Sequence, residues 1–241
     1  MSEKQAIISA FTDLAPRYEK VVDGELKRFW GWSYDGFIEN LIAMTPMAEG
    51  DVVLDVATGT SVIPIKLVEQ GKIKGQVVGL DITQAMLKRG QQRIAALGKP
   101  TCIALTCGSA MAMPFKDNYF DVILCGLATH HLDVPVVLAE MRRILKPGGR
   151  LTIADVGGAA NWRLPGIRTL IRLGTFLYFW PKEGFARARS EAGALSHVLT
   201  PEEWRTKLAD YEFTQIDITR LPKSHNWAPA PLVMAARKGL G

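Results

Sequence analysis

The stretch VLDVATGTSVIPIKL, residues 53–67, combines a short apolar strand, a turn and the start of an apolar helix. A turn of this kind that binds a nucleotide is usually rich in glycine, because backbone N–H groups must come close to the ligand. This turn has one glycine, Gly59. A dinucleotide-binding GxGxxG motif would need glycines at 57, 59 and 62, where Ala57, Gly59 and Val62 stand, and a GxxxxGKS/T phosphate loop is absent. The turn therefore disfavours a ligand held by its pyrophosphate.

The segments around this turn predict an α/β fold. From residue 51 onward, short β-branched runs alternate with helical patterns, which is typical of βαβ units and a parallel sheet. We predict strands at 52–56, 76–81, 101–107, 120–126 and 150–156, and helices at 61–70, 84–97 and 134–145. Two later runs, 213–219 and 231–237, predict an antiparallel hairpin at one edge. The result is one seven-stranded, mostly parallel sheet with helices on both faces.

Helical patterns precede and interrupt this sheet. One domain is predicted, with an N-terminal helical lid at 1–48, a two-part sheet core at 49–157 and 210–241, and a helical insertion at 158–209. Asp133 is predicted to cap the helix that follows it. Thr200 and Glu203 are predicted to form a capping box at the last helix.

The composition is that of a folded globular protein. Of 241 residues, 48% are hydrophobic and 22% are charged, and 29 basic against 24 acidic residues give a net charge of +5. No Lys/Arg run or base-stacking motif accompanies this modest excess, so nucleic-acid binding is not expected. Much of the excess is local, with basic residues at 163, 168, 172, 182, 187 and 189. We expect an anionic ligand or peripheral contact with a membrane surface near 162–189.

The cysteines and the first residues bear on the cellular setting. Cys102, Cys107 and Cys125 lie in or beside apolar runs without metal-ligand spacing, so we predict buried reduced thiols and no metal site. The first residues lack the features of a signal peptide, and no stretch approaches 18 consecutive apolar residues. These features favour a cytoplasmic protein.

The predicted ligand site lies at the strand ends. In open α/β sheets, ligands bind beyond the carboxyl ends of the strands. Four features stand there, namely Asp55 with its turn, Asp81, CGSAMAMPF at 107–115 and CGLATHHLD at 125–133. Asp81 can accept two hydrogen bonds from a ribose diol, as in many adenosine sites. Asp81 can also cap the next helix instead, and Asp55 can stabilise the turn through its own backbone.

Several motifs carry a family resemblance. VLDVATGT, Asp81, MPFKDNYFDVILCGLATHHL and LKPGGRL resemble, in this order, class I S-adenosylmethionine-dependent methyltransferases. They most resemble the branch that methylates ubiquinone and menaquinone precursors, as does FTDLAPRYEKVVDGELKRFW at 11–30. The resemblance covers roughly 11–156. It implies a Rossmann-like fold, S-adenosyl-L-methionine as cofactor, and C- or O-methylation of a small aromatic, quinol or enol acceptor.

The resemblance also implies a position for each part of the cofactor. The methionine end would be held by Asp55, Ala57, Thr58, Gly59 and Thr60. The ribose and one adenine face would meet Asp81 and Ile82, the adenine edge would meet Gly108, Ser109 and Ala110, and the wall near the sulfonium would be formed by Cys125 and Leu127.

Two positions depart from the family pattern. The family commonly has glycine where Ser61 stands and an acidic residue where Ser109 stands. A serine hydroxyl can still accept a hydrogen bond from the adenine amino group, but without charge, so that contact should be weaker. Ser61 is the position at which the fit of the turn must be checked.

Methyl transfer is an in-line displacement that needs alignment and exclusion of water, and a phenol or enol acceptor also benefits from a base. His130 and His131 are the candidates, with a slight preference for His131, because histidine can take a proton near neutral pH. Bonding to backbone groups is their alternative role. Tyr18 resembles an active-site lid residue, and core packing is the alternative there.

The insertion is expected to decide the substrate. Arg168 and Arg172 lie four residues apart on one helical face, and leucines and isoleucines lie elsewhere on the helix. This pattern suits an apolar acceptor pocket, an acidic ligand group or an anionic membrane surface, and plain packing explains its apolar side equally well. Two other functions stay open. One is a relative that keeps the cofactor but does other chemistry, such as cyclisation, and the other is a nucleic-acid or protein methyltransferase.

Overall fold

The computed structural model describes residues 3–98, 102–225 and 230–240, without the side chains of 3, 4, 163 and 165. Its strands are β1 (Val53–Val56), β2 (Val77–Asp81), β3 (Ile103–Cys107), β4 (Phe120–Gly126), β5 (Leu145–Val156), β6 (Phe213–Arg220) and β7 (Pro231–Lys238). They form one sheet in the order β3-β2-β1-β4-β5-β7-β6. The first five are parallel, whereas β7 pairs antiparallel with both β5 and β6. The predicted sheet and its hairpin edge are confirmed, although position 101 of the third predicted strand lies outside the described residues.

The helices follow the predicted alternation. They are α1 (Glu3–Leu14), α2 (Tyr18–Trp30), α3 (Tyr34–Ala43), α4 (Val62–Glu69), α5 (Gln84–Ala96), α6 (Val134–Ile144), α7 (Pro165–Ala194) and α8 (Pro201–Asp210). Asp133 caps α6, and Thr200 and Glu203 form the capping box of α8, as predicted. A bend interrupts α7 at Gly184, whose φ of 84° is non-helical. No helix among the described residues is long and apolar enough to cross a membrane.

Helices cover both faces of the sheet. On one face, α6 and α8 contribute Val137, Met141 and Trp204 to the core. On the other face, α3 and α4 contribute Phe37 and Leu67. All five side chains are at most 2% exposed. The helix α3, which lies within the predicted lid, is therefore a layer of the core.

The turn between β1 and α4 has a left-handed backbone at three positions. The φ angle is 57° at Ala57, 54° at Gly59 and 64° at Ser61. This conformation costs a residue with a side chain roughly 1–2 kcal/mol, so Ala57 and Ser61 are strained. Space for the Ser61 hydroxyl comes from α5, because a Cβ on Gly90 would lie 2.3 Å from Ser61 Oγ. The missing glycine at 61 is thus matched by a glycine at 90.

This pairing predicts a coupled effect on stability. Gly90→Ala should lower the free energy of unfolding by about 1–3 kcal/mol, because the new methyl group meets Ser61 Oγ. In a Ser61→Gly background the same substitution should cost at least about 1 kcal/mol less, or become favourable, since alanine is the better helix former. Urea unfolding of the four proteins measures the difference.

Gly24→Ala in α2 is the matched control. Nothing lies within 4 Å of a Cβ at Gly24, so this substitution should have the same effect with Ser61 and with glycine at that position. An equal cost of Gly90→Ala in both backgrounds would contradict the pairing.

Candidate functional site

A cavity of about 360 Å³, here termed the first cavity, lies beyond the carboxyl ends of β1, β2 and β4. Its size falls in the range of small-molecule sites. Most of the predicted site residues line it, namely Tyr18, Ala57, Gly59, Asp81, Ile82, Gly108, Ser109, Ala110, Leu127 and His131. Ile7 and Phe11 of α1 close one side. The fold therefore brings together residues that the sequence spreads over more than half of the chain.

Asp81 connects the turn after β1 with the end of β2. One carboxylate oxygen accepts a hydrogen bond from the Gly59 N–H at 2.9 Å, and the other accepts from the Thr83 N–H at 2.8 Å. Thr83, not Asp81, is the N-cap residue of α5, and Asp81 instead holds the backbone just before that helix as well as the turn after β1. Burial raises the pKa of this carboxyl group. The residue also lines the first cavity, where it can receive a ligand hydroxyl.

Asp55 is fully buried at the end of β1 and is not among the lining residues of the first cavity. Neither of its carboxylate oxygens makes a close hydrogen bond within the described ranges, and the Thr58 hydroxyl is the polar group beside it. Burial, reinforced by the neighbouring charge of Asp81, raises the pKa of Asp55 to about 8. A buried carboxylate without a partner is costly, and a cation beside it would lower that cost.

Four other predicted residues do not line the first cavity, and one of them, His130, lines the second cavity described below. Thr58 and Thr60 are buried in the turn, where Thr60 Oγ1 accepts a hydrogen bond from Arg93 Nη1 at 3.2 Å. Cys125 is 0% exposed and packs in the sheet core. The wall expected at Cys125 is formed by its neighbours Gly126 and Leu127.

Ser109 lies where the family pattern predicts an acidic residue. Its hydroxyl accepts a hydrogen bond from the Met111 N–H at 3.2 Å, which stabilises a local turn. The hydroxyl keeps its own O–H donor and a second lone pair for a ligand.

A second cavity of about 440 Å³ adjoins the first and was not predicted as a separate site. Its walls come from α2, α7 and the short turn Thr129–His131, and they are largely apolar: Val22, Leu26, Phe29, Trp30, Ile171 and Phe179. Four residues line both cavities and mark their junction: Phe11, Tyr18, Leu127 and His131. The sequence signals for this cavity were the aromatic N-terminal segment and the apolar side of the insertion.

A charged cluster lies within this apolar cavity. Arg187 Nη2 is 3.0 Å from Glu191 Oε1 and 3.7 Å from Glu25 Oε2. His131 Nε2 is 3.3 Å from the same Glu191 oxygen. Ligand atoms of His130, His131 and Glu191 lie within 4.8 Å of one another, a grouping that can hold a metal ion. The cation that stands beside Glu191 is the Arg187 guanidinium.

The two histidines differ in their preference for a proton. His130 Nδ1 is 2.6 Å from Asp155 Oδ1, and the Asp155 carboxylate also accepts from the Thr129 hydroxyl. Burial disfavours the charged ring at both positions, but Asp155 outweighs burial and raises the pKa of His130. At His131, burial and the neighbouring His130 lower the pKa. His131 is therefore the ring that stays neutral near pH 7 and can accept a proton.

Tyr18 lies at the junction of the two cavities. A Cβ on Gly59 would lie 3.8 Å from the Tyr18 ring, so the ring covers the turn closely. Burial raises the pKa of Tyr18 to about 12, and its hydroxyl hydrogen-bonds with that of Tyr34. Tyr18 therefore keeps its proton near neutral pH and can act as a hydrogen-bond donor, not as a base.

Ion pairs tie the helices above the cavities to the rest of the fold. Glu19 on α2 accepts a hydrogen bond from Arg93 Nη1 at 3.0 Å, and the same nitrogen donates to the Thr60 carbonyl at 3.0 Å. Arg17 pairs with Glu183 on α7 at 2.8 Å. The turn, the lid and the insertion are thus linked by charged groups.

Known proteins resemble this chain in sequence and in fold. A demethylmenaquinone methyltransferase from Symbiobacterium thermophilum is 36% identical over 139 residues, which are 57% of this chain and 53% of that relative. A 2-phytyl-1,4-naphtoquinone methyltransferase from Synechococcus elongatus is 31% identical over 155 residues, 63% of this chain and 64% of that relative. The chain thus spans between half and two thirds of the length of these relatives.

A solved structure supports the fold. The phosphoethanolamine N-methyltransferase 2 of Haemonchus contortus, in complex with S-adenosyl-L-methionine, superposes with a TM-score of 0.66 at 16% identity. The superposition covers 95% of this chain and 60% of that one. The family model described as the ubiE/COQ5 methyltransferase family matches residues 2–164, which is more than half of the chain. The protein with this turn and these two joined cavities therefore belongs to the ubiE/COQ5 methyltransferase family.

Proposed function

We propose that this protein transfers a methyl group from S-adenosyl-L-methionine to a ring carbon of a small quinol with an apolar side chain. The observation that carries the proposal is the junction of the two cavities, where a polar ligand in the first meets an apolar ligand in the second. Family membership supports methyl transfer. The names of the two relatives, both of which refer to naphthoquinone-type compounds, support the acceptor class.

The first cavity fits the cofactor. Asp55 does not line this cavity, but its buried carboxylate at the end of β1 would suit the α-ammonium group of the methionine end. Asp81 and Ile82 would receive the ribose, and Ser109 and Ala110 the adenine edge. Gly59 leaves space below the Tyr18 ring that a side chain would fill. The bound cofactor would supply a methyl group on positively charged sulfur.

The second cavity fits the acceptor. Its aromatic and aliphatic walls suit a quinol ring and an apolar tail. His131 lines both cavities and, with its lowered pKa, is the neutral base at the junction. His130 and Asp155 would act as a pair that sets the charge beside His131. Tyr18 would cover the reacting atoms and exclude water.

These groups suffice for a balanced reaction. A ring carbon of the quinol would form the new C–C bond to the methyl group that the bound cofactor supplies, and the electrons of the broken S–C bond would remain on sulfur. The methylated carbon then loses its proton, which His131 accepts, and the aromatic ring is restored. The protein contributes mainly by holding the two reactants in line.

We also propose that α7 docks on an anionic membrane surface. Most large apolar side chains that are exposed in the described part of the chain belong to α7 or its N-terminal neighbour: Leu164, Leu170, Leu173, Leu177, Trp180 and Phe185. Four of these recur every three or four residues, so they share one helical face. Each of the four is more than half exposed.

Charge and position favour a bilayer as the occupant of this face. Arg168 and Arg172 are exposed on the same helix, on the side away from these four apolar residues, and add positive charge that favours an anionic surface near α7. Ile171 and Phe179 of α7 line the second cavity. Docking would therefore place the acceptor cavity beside the lipid phase in which a long-tailed quinol dissolves. A cytoplasmic location stays a prediction.

Methyl transfer can be tested with a reduced 2-prenyl-1,4-naphthalenediol under anaerobic conditions. We expect a product with one added methyl group and an equal amount of S-adenosylhomocysteine, measured by mass spectrometry.

Asp81→Ala should weaken binding of S-adenosylhomocysteine about tenfold or more in calorimetry, because the turn after β1 loses the hydrogen bond that holds it. His131→Gln should keep that binding and lower kcat by about 10²-fold or more. An isomeric product, or binding unaffected by Asp81→Ala, would contradict the proposal.

Proton release provides a second test. Because burial raises the pKa of Asp55 to about 8, the free protein keeps a proton there at pH 7, and an ammonium group beside Asp55 would displace it. Calorimetry at pH 7 in buffers of different ionisation enthalpy should show proton release when S-adenosylhomocysteine binds, and none in Asp55→Asn.

In the free protein, the free energy of unfolding should fall as pH rises from about 4 towards 8, by about 1.4 kcal/mol per unit of pKa shift at most. Asp55→Asn should lack this fall, and identical curves would contradict the assignment.

Vesicle binding tests the docking face. The wild-type protein should sediment with phosphatidylglycerol vesicles more than with phosphatidylcholine vesicles. The double variant Leu173→Asn/Leu177→Asn should reduce the bound fraction about tenfold or more, since two apolar side chains are lost from the face. Val136→Asn, at a 40% exposed position on α6, is the control and should bind as the wild type does. If the double variant bound the phosphatidylglycerol vesicles as well as the wild type does, docking through α7 would be contradicted.

A further inference from the structure

Arg187 is an unusual residue to find in an apolar cavity. It lies on α7, its side chain is 8% exposed, and it lines the second cavity. Its Nη2 atom faces Glu191 and Glu25. Its Nε and Nη1 atoms are buried and have no hydrogen-bond partner within the described residues. Buried donors without an acceptor are destabilising, so these two atoms point to an acceptor that a ligand would bring.

The position of Arg187 relates it to the reacting groups. The guanidinium carbon is 4.9 Å from the centre of the Phe11 ring, and the same ring contacts His131 edge-on at 5.4 Å between centroids. Phe11 and His131 both line the junction of the two cavities. An oxygen atom bound by Arg187 would therefore belong to the part of the acceptor that lies near the junction, not to its apolar tail.

The chemistry of the guanidinium group limits the class of ligand that can bind it. Arginine stays charged and presents donors in a planar fork, which suits an anionic or carbonyl oxygen on a planar group. The other titratable groups that interact with its charge are Tyr18, Glu25, Glu191, His130 and His131. Glu191 is held ionised by Arg187, whereas burial raises the pKa of Glu25 to about 7. A protonated Glu25 leaves more of the Arg187 charge for a ligand.

We propose that an N–H group of the Arg187 guanidinium that has no protein partner, Nε–H or Nη1–H, binds the ring oxygen of the acceptor and holds it as the phenolate. This assignment rests on the proposed quinol acceptor. A phenolate donates electron density to the neighbouring ring carbon, which makes that carbon the nucleophile. Arg187 would thus select acceptors whose methylated carbon stands next to a ring hydroxyl, and would reject rings without one.

A coloured weak acid tests this role without any methyl transfer. The probe is 2-hydroxy-3-prenyl-1,4-naphthoquinone, whose anion absorbs visible light, and its ionisation is followed by absorbance against pH when bound to the full chain. In Arg187→Gln the bound probe should ionise at a pH at least about one unit higher than in the wild type, because one unit corresponds to a tenfold preference for the anion. Arg187→Lys keeps the charge but loses the fixed direction of the guanidinium N–H donors, and should fall between the two.

Two comparisons separate this role from a structural one. The methyl ether of the probe cannot ionise, so the wild type should bind it about tenfold or more weakly than the hydroxyl form, whereas Arg187→Gln should not discriminate. Arg189→Gln removes a charge from an exposed position on the same helix and should behave as the wild type does. Binding of S-adenosylhomocysteine reports whether each variant is folded. If Arg187→Gln does not bind S-adenosylhomocysteine, the ionisation and binding of the probe are compared between the wild type and Arg187→Lys instead.

The outcomes are distinct. Equal ionisation of the bound probe in the wild type and in the folded Arg187 variants would overturn the assignment. Failure to methylate the naphthalenediol, with the ionisation shift present, would overturn the proposed reaction and leave the anion site in place. A wild type that binds the ether as well as the hydroxyl form would also overturn the assignment.

Discussion

The two hydrogen bonds that the Asp81 carboxylate accepts position the segments around the two cavities. Its two oxygens accept from backbone N–H groups of Gly59 and Thr83, so one buried side chain fixes the turn after β1 and the start of α5 relative to β2. From α5, Arg93 reaches back to the Thr60 carbonyl and to Glu19 of the lid. The sheet, the turn and the covering helices are therefore positioned through a short chain of polar contacts around this carboxylate.

Much of the fold could be predicted because its signals are local. Strands buried on both faces read as mostly apolar runs, and β1, β2 and β4 show this pattern with one aspartate each. Helix starts were marked by side chains that bond the first backbone N–H groups, as at Asp133 and Thr200. The strand ends that carry Asp81, Ser109 and Leu127 then followed from topology, since parallel strands present their carboxyl ends on one side.

The second cavity could not be predicted in the same way, because its walls come from segments that are distant in the chain. Apolar residues of α2 and α7 are equally compatible with plain packing, and only their arrangement leaves a space between them. Arg187 was one of several basic residues in a surface-like segment, yet it is buried, whereas Arg189 is exposed. The sequence also did not predict which residue near the end of β4 forms the cavity wall. Leu127 lines the first cavity, whereas Cys125 packs in the core.

The contact between Ser61 and Gly90 links the turn motif to a position on α5. With glycine at 61, a methyl group at 90 meets no hydroxyl, whereas with serine at 61 the space at 90 is taken. The Ser61 hydroxyl fits only because residue 90 has no side chain. A side chain at 90 is not tolerated as long as residue 61 is serine. The turn motif and Gly90 of α5 therefore form one packing unit, in which a substitution at either position changes what the other position tolerates.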